Sequence, residues 1–319
     1  MQLAPSKRII IDTDPGIDDA LAIVLALASP EVQLEALTVV HGNCPLDRAL
    51  VNAIGILDVA KAAHIPVAAG ATLPLIRPPY TAEDVHGYTG MGHAKLPPAS
   101  RLADRQHAVD MLIERILAEP GEITVVAIGP LTNLALAIRR EPKIVAAMQH
   151  LVIMGGSIRE GGNMSSSAEF NIYVDPHAAH IVFHAGIPIT LVPLDVTRRC
   201  RFTFEHVQQL AALGTPLANL LADSTRYYIE TNLQGGGDGS CALHDPLALA
   251  VAFAPDLVTL EDRHVTVDIY SELSLGNTIA DMRTQPQHAA NMKVAMAVDS
   301  KRFVDLFMQR LYDLASRSV

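Results

Sequence analysis

Apolar residues in this chain gather in short unbroken runs, and longer stretches with helical spacing separate those runs. Residues 8–12 (RIIID) form the first run, as expected of a strand buried on both faces. Pro15-Gly16 then supplies a turn, and an Ala/Leu-rich segment opened by Asp18 and Asp19 reads as a helix ending near Ser29-Pro30. The alternation continues with strands at 32–40, 66–68, 123–127, 150–154 and 188–191. Helices are expected at 47–63, 103–118, 132–140 and 176–185. Residues 265–282 read as an antiparallel hairpin near the sheet's edge, and 300–316 as a closing helix. Strands alternating with helices predict an α/β fold, with a mostly parallel central sheet and helices on both faces. No repeat and no linker-like shift in composition divides the chain, so 1–319 reads as a single domain.

Half of the 319 residues are hydrophobic and 18% are charged, which suits a large buried core. Lysine and arginine total 24 against 34 aspartates and glutamates, a net charge of −10 that disfavours nucleic acid or an anionic membrane as partner. Aromatic residues are 4% with no tryptophan, so base-stacking platforms are not expected either. Cys44, Cys200 and Cys241 are odd in number and far apart, which points to a reducing, cytoplasmic setting. The apolar run 9–11 is cut by four aspartates, unlike a signal peptide. The next run, 20–28, has about half the length that crosses a bilayer.

Three stretches break the rhythm: 71–100, 157–167 and 234–239, all rich in glycine, proline or serine. Long loops inside a compact α/β domain are where ligand contacts are expected. The strongest chemical signal precedes them. Asp12, Asp14, Asp18 and Asp19 fall within eight residues at the carboxyl end of the first strand, the end at which open α/β sheets bind ligands. Asp18 and Asp19 suit a helix N-terminus. That explanation leaves Asp12 and Asp14, which directly follow a buried strand. Carboxylates so close repel one another unless a cation or shared protons compensate them, and a hard divalent ion with oxygen ligands fits best. Haloacid-dehalogenase-like phosphatases also open with a strand and D-x-D, but Pro15-Gly16 departs from their continuation.

The opening D-T-D-P-G-x-D-D (12–19) resembles that of the calcium-dependent nucleoside hydrolases, which cleave the N-glycosidic bond of ribonucleosides. The order of further motifs agrees: His41-Gly42-Asn43, His86-Gly87 with Gly90-Met91-Gly92, Gly129-Pro130-Leu131-Thr132-Asn133, and Met154-Gly155-Gly156. Asn163, Ala168-Glu169-Phe170-Asn171, Asp175-Pro176 and His244-Asp245-Pro246 follow. Together these motifs run through most of the chain.

The resemblance implies a role for each matched residue. Asp14, Asp19, Asp245 and the backbone carbonyl of Thr132 would hold calcium, and Asp14 would take a proton from a calcium-bound water attacking the anomeric carbon. Asp18, Asn43, Asn163, Glu169 and Asn171 would hold the ribose hydroxyls, with Asp12 behind the site orienting the others. His244 would protonate the leaving base, and it needs nearby carboxylates or tyrosines to stay protonated. Tyr227, Tyr228 and His86 would contact the base or relay a proton. Phe170 would line the apolar side, and Met154 would approach the sugar.

Residue type alone leaves other readings open. Thr132 also suits a helix N-cap, Asn163 a turn, Glu169 and Asn171 a cap or a core pair, and Met154 plain packing. The two tyrosines suit a half-buried helix face, His86 an exposed loop, and His244 a packed helix start.

The expected activity is therefore hydrolysis of a ribonucleoside to ribose and free base, through an oxocarbenium-like transition state that a carboxylate-rich pocket favours. A non-catalytic nucleoside- or ribose-binding protein of the same fold is the alternative, followed by a metal-dependent phosphatase. The segments 71–100 and 220–240 are expected to choose between purine and pyrimidine. The family further implies a homodimer or homotetramer acting in purine or pyrimidine salvage.

Overall fold

The computed structural model describes residues 6–316. Among them, twelve strands run in chain order as β1 (Lys7–Thr13), β2 (Val32–Val39), β3 (Val67–Ala69), β4 (Ile123–Ala127), β5 (His150–Met154) and β6 (Ile189–Val192). After these come β7 (Arg201–Thr203), β8 (Ser240–Ala242), β9 (Val258–Arg263), β10 (Val265–Val267), β11 (Thr278–Ala280) and β12 (Met292–Val298). Eight of them form one sheet in the order β3-β2-β1-β4-β5-β6-β12-β9. Every pairing in it is parallel except β12 with β9. The chain is thus a single α/β domain on a mostly parallel sheet, with hydrophobic cores on both of its faces.

The central strand explains the opening of the sequence. β1 pairs with β2 on one side and β4 on the other, so Ile9, Ile10 and Ile11 are fully buried and alternate between the two cores. From β1 the chain first moves outward through β2 and β3 and then returns to β4 on the opposite side. Such a reversal leaves a crevice at the carboxyl ends of the two diverging strands, here β1 and β4. The helix Ile17–Ala28 leaves that crevice with ten buried residues, packed between the helices His244–Phe253 and Ser300–Ser316.

The first six expected strands correspond to β1–β6, and the closing helix to Ser300–Ser316. Three features differ. The helix expected over 103–118 begins at Ala108, because Asp104 bonds the amide of Val67 and His107 caps the helix through the Val109 amide. The hairpin expected near the sheet's edge instead forms its own two-stranded sheet, β10 with β11. The edge itself is β9, and β12 joins it to β6. β9 (VTLEDR) has no apolar run because an edge strand stays half exposed. Among the described residues no helix is long and apolar enough to cross a membrane, and the three cysteines are free and buried.

The closing helix is fastened by Phe303 and Phe307, both fully buried, with the Phe307 ring 5.8 Å from Phe202 in an edge-on contact. Phe307→Ala should therefore cost about 3–5 kcal/mol in denaturant unfolding, through lost transfer energy and a residual cavity. A loss under about 1 kcal/mol would show that the helix is dispensable to the core.

Candidate active site

The carboxyl end of β1 delivers its aspartates to different partners. Asp12, the last of them to lie within the strand, accepts hydrogen bonds from Thr38 Oγ1 at 3.0 Å and from Asn133 Nδ2 at 3.1 Å. Burial raises its pKa to about 7. It holds the start of the helix Thr132–Arg140 against the sheet, behind the crevice. Asp19 is the most heavily bonded. Its carboxylate accepts from Thr13 Oγ1 (2.5 Å), the Gly16 amide (2.9 Å) and Asn43 Nδ2 (2.9 Å), and so closes the first turn of its own helix.

Asp14 differs. Its Oδ2 accepts from the Asn43 amide at 2.7 Å, whereas Oδ1 is buried with no hydrogen-bond partner. Two glycine turns make room for this carboxylate. A Cβ at Gly129 would lie 2.6 Å from Oδ1, and one at Gly42 would collide with Oδ2. The carboxylates that bring oxygens within 4.8 Å of one another are Asp18, Asp19 and Asp245, so Asp18 stands in this trio where the resemblance placed Asp14; Asp245 arrives on the first turn of the helix His244–Phe253. Burial first and the Asp19 charge second push Asp18 up to about 8. The same two causes hold Asp14 well above the carboxylate range, and burial raises Asp19. Asp245 rises for burial first, then for Asp18, Asp19 and Asp14. A buried oxygen without a donor beside three converging carboxylates is a donor set that fits a hard divalent cation.

Thr132 is the first residue of its helix, and Leu131 occupies the cap position, so the N-cap reading of Thr132 fails. Its hydroxyl donates to Asp175 Oδ2 at 2.8 Å and lies 3.3 Å from His41 Nε2.

A polar wall stands across the crevice. Glu169 caps the short helix Phe170–Val174, accepting from the amides of Asn171 (3.0 Å) and Ile172 (3.1 Å), and also from that of Gly156 (3.0 Å). Burial still raises its pKa to about 7. Asn171 Nδ2 donates to the carbonyls of Ile128 and Met154, leaving its oxygen as the polar atom available to the cavity. Asn163 Oδ1 accepts from the Phe170 amide at 2.9 Å, which leaves its NH₂. The glycine-rich loop carrying Asn163 is gripped from the segment 195–198. Asp195 accepts from the amides of Ile158 and Arg159, and Arg198 donates to the carbonyls of Gly161 and Gly162.

The third side holds the aromatic and imidazole groups. His86 Nδ1 accepts from the Ile17 amide at 3.1 Å, and loss of solvent lowers the ring's pKa to about 4. It is buried, so the alternative reading of an exposed loop residue fails, and its ring lies 5.5 Å from that of Tyr228. His244 Nδ1 is 2.7 Å from Thr197 Oγ1. The sequence reading needs carboxylates or tyrosines to keep His244 protonated, yet loss of solvent, then Arg198 and Arg201, lower its pKa to about 3. Tyr227 and Tyr228 part company: Tyr228 faces the cavity, whereas Tyr227 packs on Gly92 and edge-on to His93, 4.9 Å away. Tyr227 thus fastens the 87–93 loop and does not line the cavity.

These walls enclose a cavity of about 640 Å³. Asp18, Asn43, His86, Met154, Asn163, Glu169, Phe170, Asn171, Tyr228, His244 and Asp245 all line it, while Asp14, Asp19 and Thr132 are absent from its lining. Tyr80, Asn232 and Gly235–Gly237 also line it. Tyr80 and the glycines fall in the segments 71–100 and 234–239, where ligand contacts are expected, and Asn232 lies just before the second of these.

Residues 9–305 match the family model described as inosine-uridine preferring nucleoside hydrolase. The inosine-uridine preferring nucleoside hydrolase of Crithidia fasciculata is 39% identical over 308 residues, covering 96% of this chain and 97% of that one. The pyrimidine-specific ribonucleoside hydrolase RihA of Salmonella arizonae is 38% identical, with 95% and 97% covered. Among solved structures, a purine-preferring ribonucleoside hydrolase from Gardnerella vaginalis superimposes with a TM-score of 0.93 at 35% identity, covering 98% of this chain and 100% of that chain.

The carboxylate cluster yields a test of its own. A divalent cation that binds only the folded protein should raise the melting temperature of chelator-treated protein by about 5 °C when far above its Kd. Asp14→Asn and Asp245→Asn should each blunt that rise. Melting curves unmoved by calcium, magnesium and manganese would remove the cation from this site.

Proposed function

The chain belongs to the inosine-uridine preferring nucleoside hydrolase family and is an N-glycosidase of ribonucleosides, and we propose that calcium and the residues around the β1–β4 crevice carry the reaction. The observation that carries this reading is the partnerless Asp14 Oδ1 beside the converging carboxylates of Asp18, Asp19 and Asp245. Asp14, Asp19, Asp245 and the Thr132 carbonyl would hold the ion. When bound, calcium supplies Lewis acidity toward water and a charge that balances the carboxylates.

The protein's own groups divide the remaining work. Asp14 takes the proton of the attacking water at Oδ1, since its other oxygen is held by the Asn43 amide. Asp18, Asn43, Asn163, Glu169 and Asn171 orient the ribose through its hydroxyls. Their orientation by backbone donors and carbonyls makes that wall preorganised. Positive charge developing on the ribosyl ring is favoured by the surrounding carboxylates more than the neutral substrate is. His244 donates a hydrogen bond that steadies the base as it departs with the bonding electrons, and the base then takes its proton from solvent; Tyr228 and His86 stand beside it, while Phe170 and Met154 supply the apolar contact.

We further propose a cytoplasmic enzyme of nucleoside salvage that takes a small-molecule substrate and engages neither nucleic acid nor membrane. The three unpaired cysteines support the compartment. Tyr270 and Leu273, each 90% exposed, support a homodimer or homotetramer.

A ribose wall with several oriented polar groups should reject 2′-deoxynucleosides. The kcat/KM for uridine and inosine should exceed that for their 2′-deoxy counterparts by about 10⁴, because a missing hydroxyl leaves buried partners unpaired. Comparable efficiencies would overturn the assignment of Asp18, Asn43 and Glu169. Running the same panel over cytidine and adenosine ranks the bases. His244→Ala should slow natural nucleosides by about 10²-fold or more. It should have far less effect on p-nitrophenyl riboside, whose leaving group needs no proton. Calcium content, measured in the same variant, should be retained.

A further inference from the structure

We infer that Thr197 is a positioning residue for His244, holding the imidazole in one orientation toward the leaving base; the inference rests on the reading of His244 given above. Thr197 ends the four-residue helix Leu194–Thr197 that follows β6, and it is fully buried. Its hydroxyl lies 2.7 Å from His244 Nδ1, and among the described residues that ring nitrogen is its only side-chain or carbonyl partner. A hydroxyl has one hydrogen to give. Whichever way that hydrogen points, the contact occupies Nδ1 and leaves Nε2 as the ring nitrogen free to meet the base.

The anchor is stiff. The Leu194 amide bonds the Gly156 carbonyl at 2.9 Å, and the Asp195 carboxylate bonds the Ile158 and Arg159 amides at 2.8 and 2.7 Å. Arg198 then clasps the Gly161 and Gly162 carbonyls. One short turn therefore fixes His244 and the loop bearing Asn163 relative to each other, so the base and the sugar are registered by the same element.

The test compares Thr197→Val, which keeps the shape and deletes the hydroxyl, with Thr197→Ser, which keeps the hydroxyl and deletes a methyl. On uridine and inosine, Thr197→Val should lower kcat by about 10–100-fold, as expected when the partner that orients a functional histidine is lost. KM, the rate on p-nitrophenyl riboside and the melting temperature should stay close to those of the unaltered enzyme. Thr197→Ser should restore most of kcat. In a His244→Ala background, Thr197→Val should have no further effect, since the group it orients is gone. Should the valine variant fail to fold, Thr197→Ala against Thr197→Ser makes the same comparison. Equal losses on natural nucleosides and p-nitrophenyl riboside, or no loss at all, overturn the positioning role. If His244→Ala itself slows both kinds of substrate equally, the reading of His244 fails first and this inference falls with it.

Discussion

Carboxylates buried side by side are the constraint on which the rest of this molecule depends. Asp14, Asp18, Asp19 and Asp245 occupy a space from which water is largely excluded, and each raises the cost of ionising its neighbours. The fold meets that cost locally through backbone and side-chain donors. Asp19 alone draws on Thr13, Gly16 and Asn43. What those donors leave uncompensated, Asp14 Oδ1 above all, is what suits the crevice to a cation. The same unbalanced charge is suited to a sugar ring turning positive.

The topology makes such a cluster buildable. β1 lies where the chain reverses direction across the sheet, so loops after β1, β2 and β4 all converge on the same point. Glycine turns after β2 and β4 let the backbone approach the Asp14 carboxylate from two sides. Asp12, one layer further back, secures the helix after β4 through Asn133. Function here begins with strand order, and the side chains complete it.

Much of this was legible in the sequence, for identifiable reasons. Residues 8–12 read as a buried strand because Ile9, Ile10 and Ile11 lie between two strands and two apolar cores. The helix Thr132–Arg140 and the strand His150–Met154 were legible to their ends, since turn residues and apolar runs coincide there. β9 and β12 were not, because an antiparallel edge mixes polar and apolar positions. The aspartates stood out by spacing alone. Tyr227 could not be told from Tyr228 by type, since helical rotation sends one to the cavity and the other to the 87–93 loop. The charge environment of His244 was also hidden. Arg198 and Arg201 reach it from a segment whose nearness to the helix His244–Phe253 is purely tertiary.

The two ends of the cavity differ in how much mutation they tolerate. Around Asp14, the glycines at 42 and 129 are hemmed in by the carboxylate itself, so no larger residue fits there without displacing the reactive group. At the opposite wall, where the helix Pro216–Gln234 runs out, a Cβ at Gly235 would meet only carbonyl oxygens of its own helix end, at 3.5 and 3.6 Å. Side chains of several sizes fit at that position, each reshaping the mouth of the cavity without reaching the carboxylates. A lineage or a protein engineer could therefore vary which molecules enter at Gly235 while the reactive floor stays fixed. Substrate range and chemical step are separable properties in this architecture, open to change one at a time.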